Sequence, residues 1–192
     1  MSLLRAKDTA PEAFRAHCHS LTTLLAIEAT QGLRTRQSTV ETPLEVAETT
    51  ILDQSLVVVP ILRAGLGMLE SFTGLFPSVS VGYVGLERDH QTAIASCYYN
   101  KLPPLNGKLT LVIDPMLATG GSASMCIKAA KDEGADQVAM VCIVAVPEGV
   151  EVLKNDHPDV EIFAAALDRE LNDKKYILPG LGDFGDRLYG TV

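Results

Sequence analysis

Five short stretches of this sequence are apolar at most of their positions: Leu56–Leu62, Val79–Val84, Leu109–Ile113, Val138–Val146 and Val160–Ala165. A strand with one solvated face alternates apolar and polar residues, whereas a strand covered on both faces does not, so these stretches predict buried parallel strands. Between them the spacing predicts helices over Leu66–Leu75, Ser122–Glu133 (stopped by Gly134) and Val150–Asn155. A further helix is predicted over residues 11–30, opened by Pro11 and carrying Phe14, Leu21, Leu24, Leu25 and Ala29 on its apolar face. From Gln31 to Ser55 the periodicity is weak and no element is predicted. Strands alternating with helices imply an α/β fold, a doubly wound sheet with right-handed crossovers. No repeat or linker divides the chain, so residues 1–192 read as a single domain.

Composition removes several function classes. With 16 Lys+Arg against 24 Asp+Glu the formal charge is −8, which argues against nucleic acid and anionic membrane as partners. A small phosphorylated ligand stays open, because one or two arginines suffice to hold it. Cys18, Cys97, Cys126 and Cys142 form no C-x-x-C pair, and Cys126 and Cys142 sit in apolar patterns as small core residues. Met1–Asp8 has no apolar core fit for a signal peptide, and Val138–Val146 is too short to span a membrane. The expectation is a cytoplasmic, reduced protein.

In doubly wound sheets ligands bind beyond the carboxyl ends of the strands. One such end reads Asp114-Pro115-Met116-Leu117-Ala118-Thr119-Gly120-Gly121-Ser122 and then turns helical. Backbone amides from Thr119 to Ser122, two hydroxyls and a helix dipole suit a phosphate, and Asp114 suits ribose hydroxyls. The alternative is a capped connection serving only the backbone. Another end reads Pro60-Ile61-Leu62-Arg63-Ala64-Gly65-Leu66-Gly67, where Arg63 precedes a helix N-terminus. A cation is unfavourable there unless an anion compensates it, and a guanidinium can clamp pyrophosphate. Arg88, in a polar stretch, reads either as a closing loop's cation or as a solvated one.

The tail Pro179-Gly180-Leu181-Gly182-Asp183-Phe184-Gly185 contains G-x-G-x-x-G, but it lacks the second strand and acidic residue of a dinucleotide fingerprint. Its glycines can bring backbone groups against a planar heterocycle, with Asp183 as a carboxylate and Phe184 as an aromatic wall, or simply pack down. His17-Cys18-His19 is a poor metal site, since neighbours at i and i+2 on a helix point apart. Walker, zincin, kinase and serine-hydrolase motifs are missing.

Taken together, Val57–Gly67, Asp114–Ser122 and Pro179–Arg187 resemble the motifs of the uracil phosphoribosyltransferase family. Tyr98–Pro103, Pro147–Val150 and Ala165–Asp168 resemble it as well. The resemblance implies a type I phosphoribosyltransferase fold, a mostly parallel twisted sheet flanked by helices with a small C-terminal base-binding hood. It implies the reaction uracil + 5-phosphoribosyl 1-pyrophosphate (PRPP) → UMP + pyrophosphate. It assigns ribose and 5-phosphate to Asp114, Pro115, Met116, Leu117, Ala118, Thr119, Gly120, Gly121 and Ser122. Pyrophosphate falls to Arg63 and Arg88, and the uracil edge to backbone groups of Ile177, Gly182 and Phe184. Asp183, beside both ligands, is the implied aid to N1 deprotonation. Mg²⁺ is implied as a cofactor carried mainly by PRPP rather than by a protein metal site. A homodimer or higher homo-oligomer is implied, and GTP binding is left open.

The chain departs from the family in places. Pro115 replaces the second acidic residue common in type I enzymes, which is the uracil subfamily's own habit. Members usually carry further residues ahead of the segment matching Leu3–Arg15, and these commonly help subunits associate. Ala29–Leu33 and His90–Ala95 also differ from the usual residues, so altered loop closure is expected. Two other readings remain at this stage: a regulatory module that binds nucleotide without turnover, and the same chemistry on another base.

Overall fold

The computed structural model describes residues 1–88 and 95–191, and for residues 87, 88, 95 and 96 only the backbone. The first part of the chain forms α1 (Ser2–Arg5), α2 (Pro11–Ala29), β1 (Thr35–Glu41), β2 (Val46–Leu52), β3 (Leu56–Leu62) and α3 (Leu66–Leu75). Then follow β4 (Ser80–Val81), β5 (Tyr83–Arg88), β6 (Ala95–Lys101), β7 (Leu109–Ile113), β8 (Met116–Leu117) and α4 (Gly121–Asp132). The last part holds β9 (Gln137–Ala145), α5 (Pro147–Asp156), β10 (Glu161–Leu167), β11 (Glu170–Leu171), β12 (Ile177–Leu178) and α6 (Phe184–Tyr189).

The central sheet runs β10-β9-β7-β3-β5-β6, with β4 beside β3 and β8 beside β9. Its pairs are parallel except β5 with β6, so the architecture is α/β with a mostly parallel sheet flanked by helices. The apolar runs serve both faces through their period of two. Leu56, Val58, Leu111, Ile113, Ala139, Val141 and Ile143 join α2, α3 and α6 in one core. Val57, Val59, Val112, Met140 and Cys142 join α4 and α5 in the other. Each fully buried aliphatic side chain contributes roughly 1.5–3 kcal/mol, which is why the sheet centre is the rigid base of the molecule.

Some elements differ from the sequence expectation. The aperiodic Gln31–Ser55 region contains the β1–β2 hairpin, whose residues are mostly exposed. Without a buried face, nothing forces its apolar residues into alternation. The single strand expected over Val79–Val84 is two, broken at Gly82, whose amide reaches the Val58 carbonyl at 3.0 Å. On α2 the buried face is Phe14, Cys18, Thr22, Leu25, Ala26 and Ala29, and Leu24 is 64% exposed. Cys18 and Thr22 occupy that face because small side chains allow α3 close, with Cys18 Sγ 3.5 Å from the Gly67 carbonyl. All four cysteines are free; Cys18, Cys126 and Cys142 are buried and Cys97 is exposed. Among the described residues no helix is long and apolar enough to cross a membrane.

Candidate active site

β3 and β7 lie side by side in parallel, with Pro60 opposite Ile113, so the segments leaving them emerge at one edge of the sheet. After β3 the chain turns through Arg63, with the Gly65 amide on the Ile61 carbonyl at 2.9 Å. A Cβ at Gly65 would stand 2.6 Å from the Ile113 carbonyl oxygen. Only glycine lets the Arg63 turn lie this close to the residue preceding Asp114. Arg63 itself is exposed just ahead of α3, where the helix dipole favours an anion as its neighbour.

Beyond β7 the chain stays with the sheet longer than expected. The Pro115 carbonyl accepts from the amides of Ile143 and Val144, both at 3.0 Å, and Met116 and Leu117 pair with Val144 and Ala145. Met116 and Leu117 are therefore strand backbone rather than open loop, Pro115 is tied to β9 through its carbonyl, and the Leu117 side chain is buried. The reason is that β9 is longer than β7 and offers free ladder positions past Ile113. The open turn is Ala118-Thr119-Gly120. Gly120 adopts φ +79°, a left-handed value that suits glycine, and α4 begins without a side-chain cap. The Ser124 amide takes the Gly120 carbonyl at 2.8 Å, so the amides of Gly121, Ser122 and Ala123 are the donors a helix start presents to an anion.

The first turn of α5 backs this loop. A Cβ on Gly149 would lie 2.5 Å from the Ala118 carbonyl and 2.8 Å from that of Leu117. Sequence reasoning quoted Gly149 without a role. The available signal was glycine in a helical first turn, where most residues propagate a helix better.

The tail approaches from the other side. β11 and β12 pair antiparallel, Glu170 opposite Leu178, and the Arg169 amide reaches the Leu178 carbonyl at 3.0 Å. Gly180 and Gly182 follow with φ +60° and +82°. Asp183 is exposed and caps α6, its Oδ1 accepting the Asp186 amide at 3.0 Å. Phe184 is not a wall of an open cavity: its ring is buried, edge-on to Phe14 at 5.3 Å. Apolar burial outcompetes exposure for that ring, which leaves its backbone for recognition. Ile177 likewise buries its side chain. Leu188 and Phe184 close on Gly67, and Tyr189 Oη donates to the Arg63 carbonyl at 3.2 Å. The structure thus brings together the Arg63 turn, the Asp114–Ser122 segment and the tail. The Arg88 side chain lies outside the described residues, as do residues 89–94.

The electrostatics follow the same geography. Burial, then the charge of Asp114, pushes the Cys126 and Cys142 thiols far up, so both are inert neighbours of the site. Burial raises the Tyr189 phenol while the Arg63 charge pulls it back. His19 Nδ1 lies 3.1 Å from Ser71 Oγ, and Cys18 is buried. Among the described residues no group of three or more His, Cys, Asp or Glu is gathered to hold a metal ion.

Comparison with known proteins adds three findings. Residues 1–191 match a family model described as uracil phosphoribosyltransferase. A uracil phosphoribosyltransferase of Dictyoglomus thermophilum is 47% identical, the alignment covering 100% of this chain and 93% of that protein. The solved structure of the AQ2163 protein from Aquifex aeolicus is 38% identical with a TM-score of 0.93, covering 98% of this chain and 91% of that one. At 7% identity, a hypoxanthine-guanine phosphoribosyltransferase of Bacillus anthracis shares the fold with a TM-score of 0.55, over 82% of this chain and 80% of that one.

Proposed function

We propose a division of labour among the residues of this chain, which belongs to the uracil phosphoribosyltransferase family. The enzyme joins uracil to PRPP, giving UMP and pyrophosphate. The observation that carries the assignment is the convergence of the Arg63 turn, the Asp114–Ser122 segment and the glycine-rich tail at the carboxyl edge of β3 and β7.

In this reading the 5-phosphate sits on the amides at the start of α4, with the hydroxyls of Thr119 and Ser122 as further donors. Asp114 accepts from the ribose hydroxyls. The backbone of Pro115, Met116 and Leu117 serves by holding the loop to β9, Gly120 and Gly149 let Ala118 and the turn after it lie against α5, and Gly121 opens α4 beneath the phosphate. Arg63 and Arg88 meet the pyrophosphate. Backbone groups of Ile177, Gly182 and Phe184 meet the uracil edge, where they read a heterocycle without a net charge.

The reaction breaks the bond between C1 and the pyrophosphate oxygen and forms one between uracil N1 and C1. The bonding pair leaves with pyrophosphate, so negative charge grows where the Arg63 guanidinium stands and the sugar becomes cationic. Asp183, with Oδ1 on the Asp186 amide, keeps Oδ2 for the proton that N1 gives up. Fixing both substrates at one sheet edge supplies orientation, and no covalent nucleophile is needed. Magnesium fits as a partner of the donor's pyrophosphate, since a cation held by phosphate oxygens and water needs at most a carboxylate such as Asp114 or Asp183 from the protein. Bound there, it would neutralise the leaving group.

The enzyme is read as a cytoplasmic single domain spanning residues 1–192. A homodimer or larger homo-oligomer is supported by the exposed Val40, Leu44 and Val46 of the β1–β2 hairpin. The deciding experiment is UMP formation from radiolabelled uracil with PRPP and Mg²⁺, beside cytosine, adenine, guanine and hypoxanthine. Turnover with uracil alone is expected, and donor binding without turnover on any base would overturn the reading.

A further inference from the structure

The tail is anchored in an unusual way: its backbone is gripped by two arginines reaching across from, or over to, the N-terminal segment. Arg5, at the end of α1, donates to Asp168 Oδ2 at 2.7 Å and Oδ1 at 2.5 Å. The same guanidinium donates to the Gly180 carbonyl at 2.9 Å, and the Gly180 amide donates to Asp168 Oδ2 at 2.9 Å. Both backbone groups of Gly180 are therefore held by one ion pair. Arg187 donates to the Leu181 carbonyl at 2.8 Å, to the Ala6 carbonyl at 2.6 Å and to the Leu4 carbonyl, its guanidinium stacked 4.5 Å over Phe14. Asp168 is buried at the tip of β10, its amide on the Ala145 carbonyl at 2.8 Å.

We propose that Arg5 and Asp168 are positioning residues for the base, holding Gly180 so that the flanking backbone groups of Ile177 and Gly182 stand where uracil is read. The inference rests on the reading of the tail as the uracil site. Apolar packing could pin this segment down, but it leaves the rotation of a peptide plane soft. The bond to the Gly180 amide fixes the peptide plane before it and the bond to its carbonyl fixes the plane after it, and together they set the direction of the neighbouring carbonyls and amides. Ile177 is tied in too, since a Cβ on Gly180 would run into its carbonyl oxygen. Asp168 is buried while Arg5 keeps part of its side chain in water, and in such a partly buried ion pair desolvation offsets much of the attraction, so it is a poor device for stability alone. It suits a place where geometry is what matters.

Steady-state kinetics on the full-length Arg5→Ala, Arg5→Lys and Asp168→Asn proteins test this, with Gly182→Ala measured alongside. Arg5→Ala is expected to raise the KM for uracil about 10-fold or more, the scale of a lost charge-assisted hydrogen bond. The KM for PRPP should stay within about twofold, since uniform loss of one substrate's binding leaves the other's intact. That retained value also reports that the variant is folded. Arg5→Lys keeps the charge but not the fork and should fall between. Free guanidinium at non-denaturing concentration should restore uracil binding in Arg5→Ala but not in Asp168→Asn. Equal changes in both KM values, or a loss of kcat alone, would reduce the pair to scaffolding and overturn the proposal. If Gly182→Ala moves the uracil KM and the Arg5 variants do not, this inference fails while the tail reading stands. If Gly182→Ala leaves the uracil KM unmoved, the tail reading fails and takes this inference with it.

Discussion

The two halves of the site are built on different principles. The phosphate half hangs from the centre of a parallel sheet: β3, β7 and β9 are buried on both faces, and the turns that leave them inherit their positions from backbone ladders. The base half is made of a two-residue β-pair, a short helix and glycines, and it is held by side chains that reach across the chain, Arg5 to Asp168 and Arg187 to the carbonyls of Leu4 and Ala6. Ladders fix a turn whatever the surface charges do. Side-chain clamps fix it only while both partners keep their charge and shape, so the base half is the part a single polar substitution or an acid shift can loosen.

The largest effect should come where the base half touches the chemistry. Asp183→Asn is expected to lower kcat about 100-fold or more, within the roughly 10²–10⁴ that a positioned base supplies, with little change in the KM for PRPP. An unchanged kcat would remove Asp183 from proton transfer and leave it the cap of α6. On the phosphate half, Arg63→Ala should cost about 10²-fold in turnover, as loss of one preorganised donor to a developing anion does. Pyrophosphate product inhibition should weaken with it; inhibition that stays intact would detach Arg63 from the leaving group.

The remaining tests address how each half is held. Gly65→Ala forces a methyl into the 2.6 Å gap to the Ile113 carbonyl. Overpacking of this kind costs about 1–3 kcal/mol, readable as a lower urea midpoint with unchanged slope. A midpoint equal to that of the parent protein would mean the two turns can separate freely. The smallest effect concerns acid. The hydrogen bonds from Arg5 hold the Asp168 carboxyl below its ordinary 3.8, with the Gly180 amide contributing. Folding therefore favours the ionised form. The stabilisation is complete above the ordinary carboxylate range and is lost as pH falls through the lower folded value. Asp168→Asn should flatten that part of the acid limb in urea titrations, and an identical acid limb in the variant would show that the clamp does not titrate.

What could be read from sequence follows the same division. Strands β3 and β7 and helix α3 are legible to the residue because burial on both faces leaves an uninterrupted apolar signature. Arg63 and Asp114 could be singled out because a cation before a helix and a carboxylate at a strand tip are locally anomalous. The base half was legible only as a run of glycines and by resemblance. Arg5 looks like any solvated arginine in Ser2-Leu3-Leu4-Arg5, since its partner lies 163 positions away. Phe184 could not be told from an exposed aromatic, because the ring that covers it, Phe14, belongs to the other end of the chain. Contacts closed by the fold leave no local trace.

The cysteines give this chain a built-in gauge. Burial holds the Cys18 thiol at about 11 and the Cys126 and Cys142 thiols higher still, while Cys97 stands exposed on β6. A maleimide at neutral pH therefore adds one label to the native protein and four to the denatured chain. Intact mass after a timed pulse reads, molecule by molecule, how often the sheet has opened.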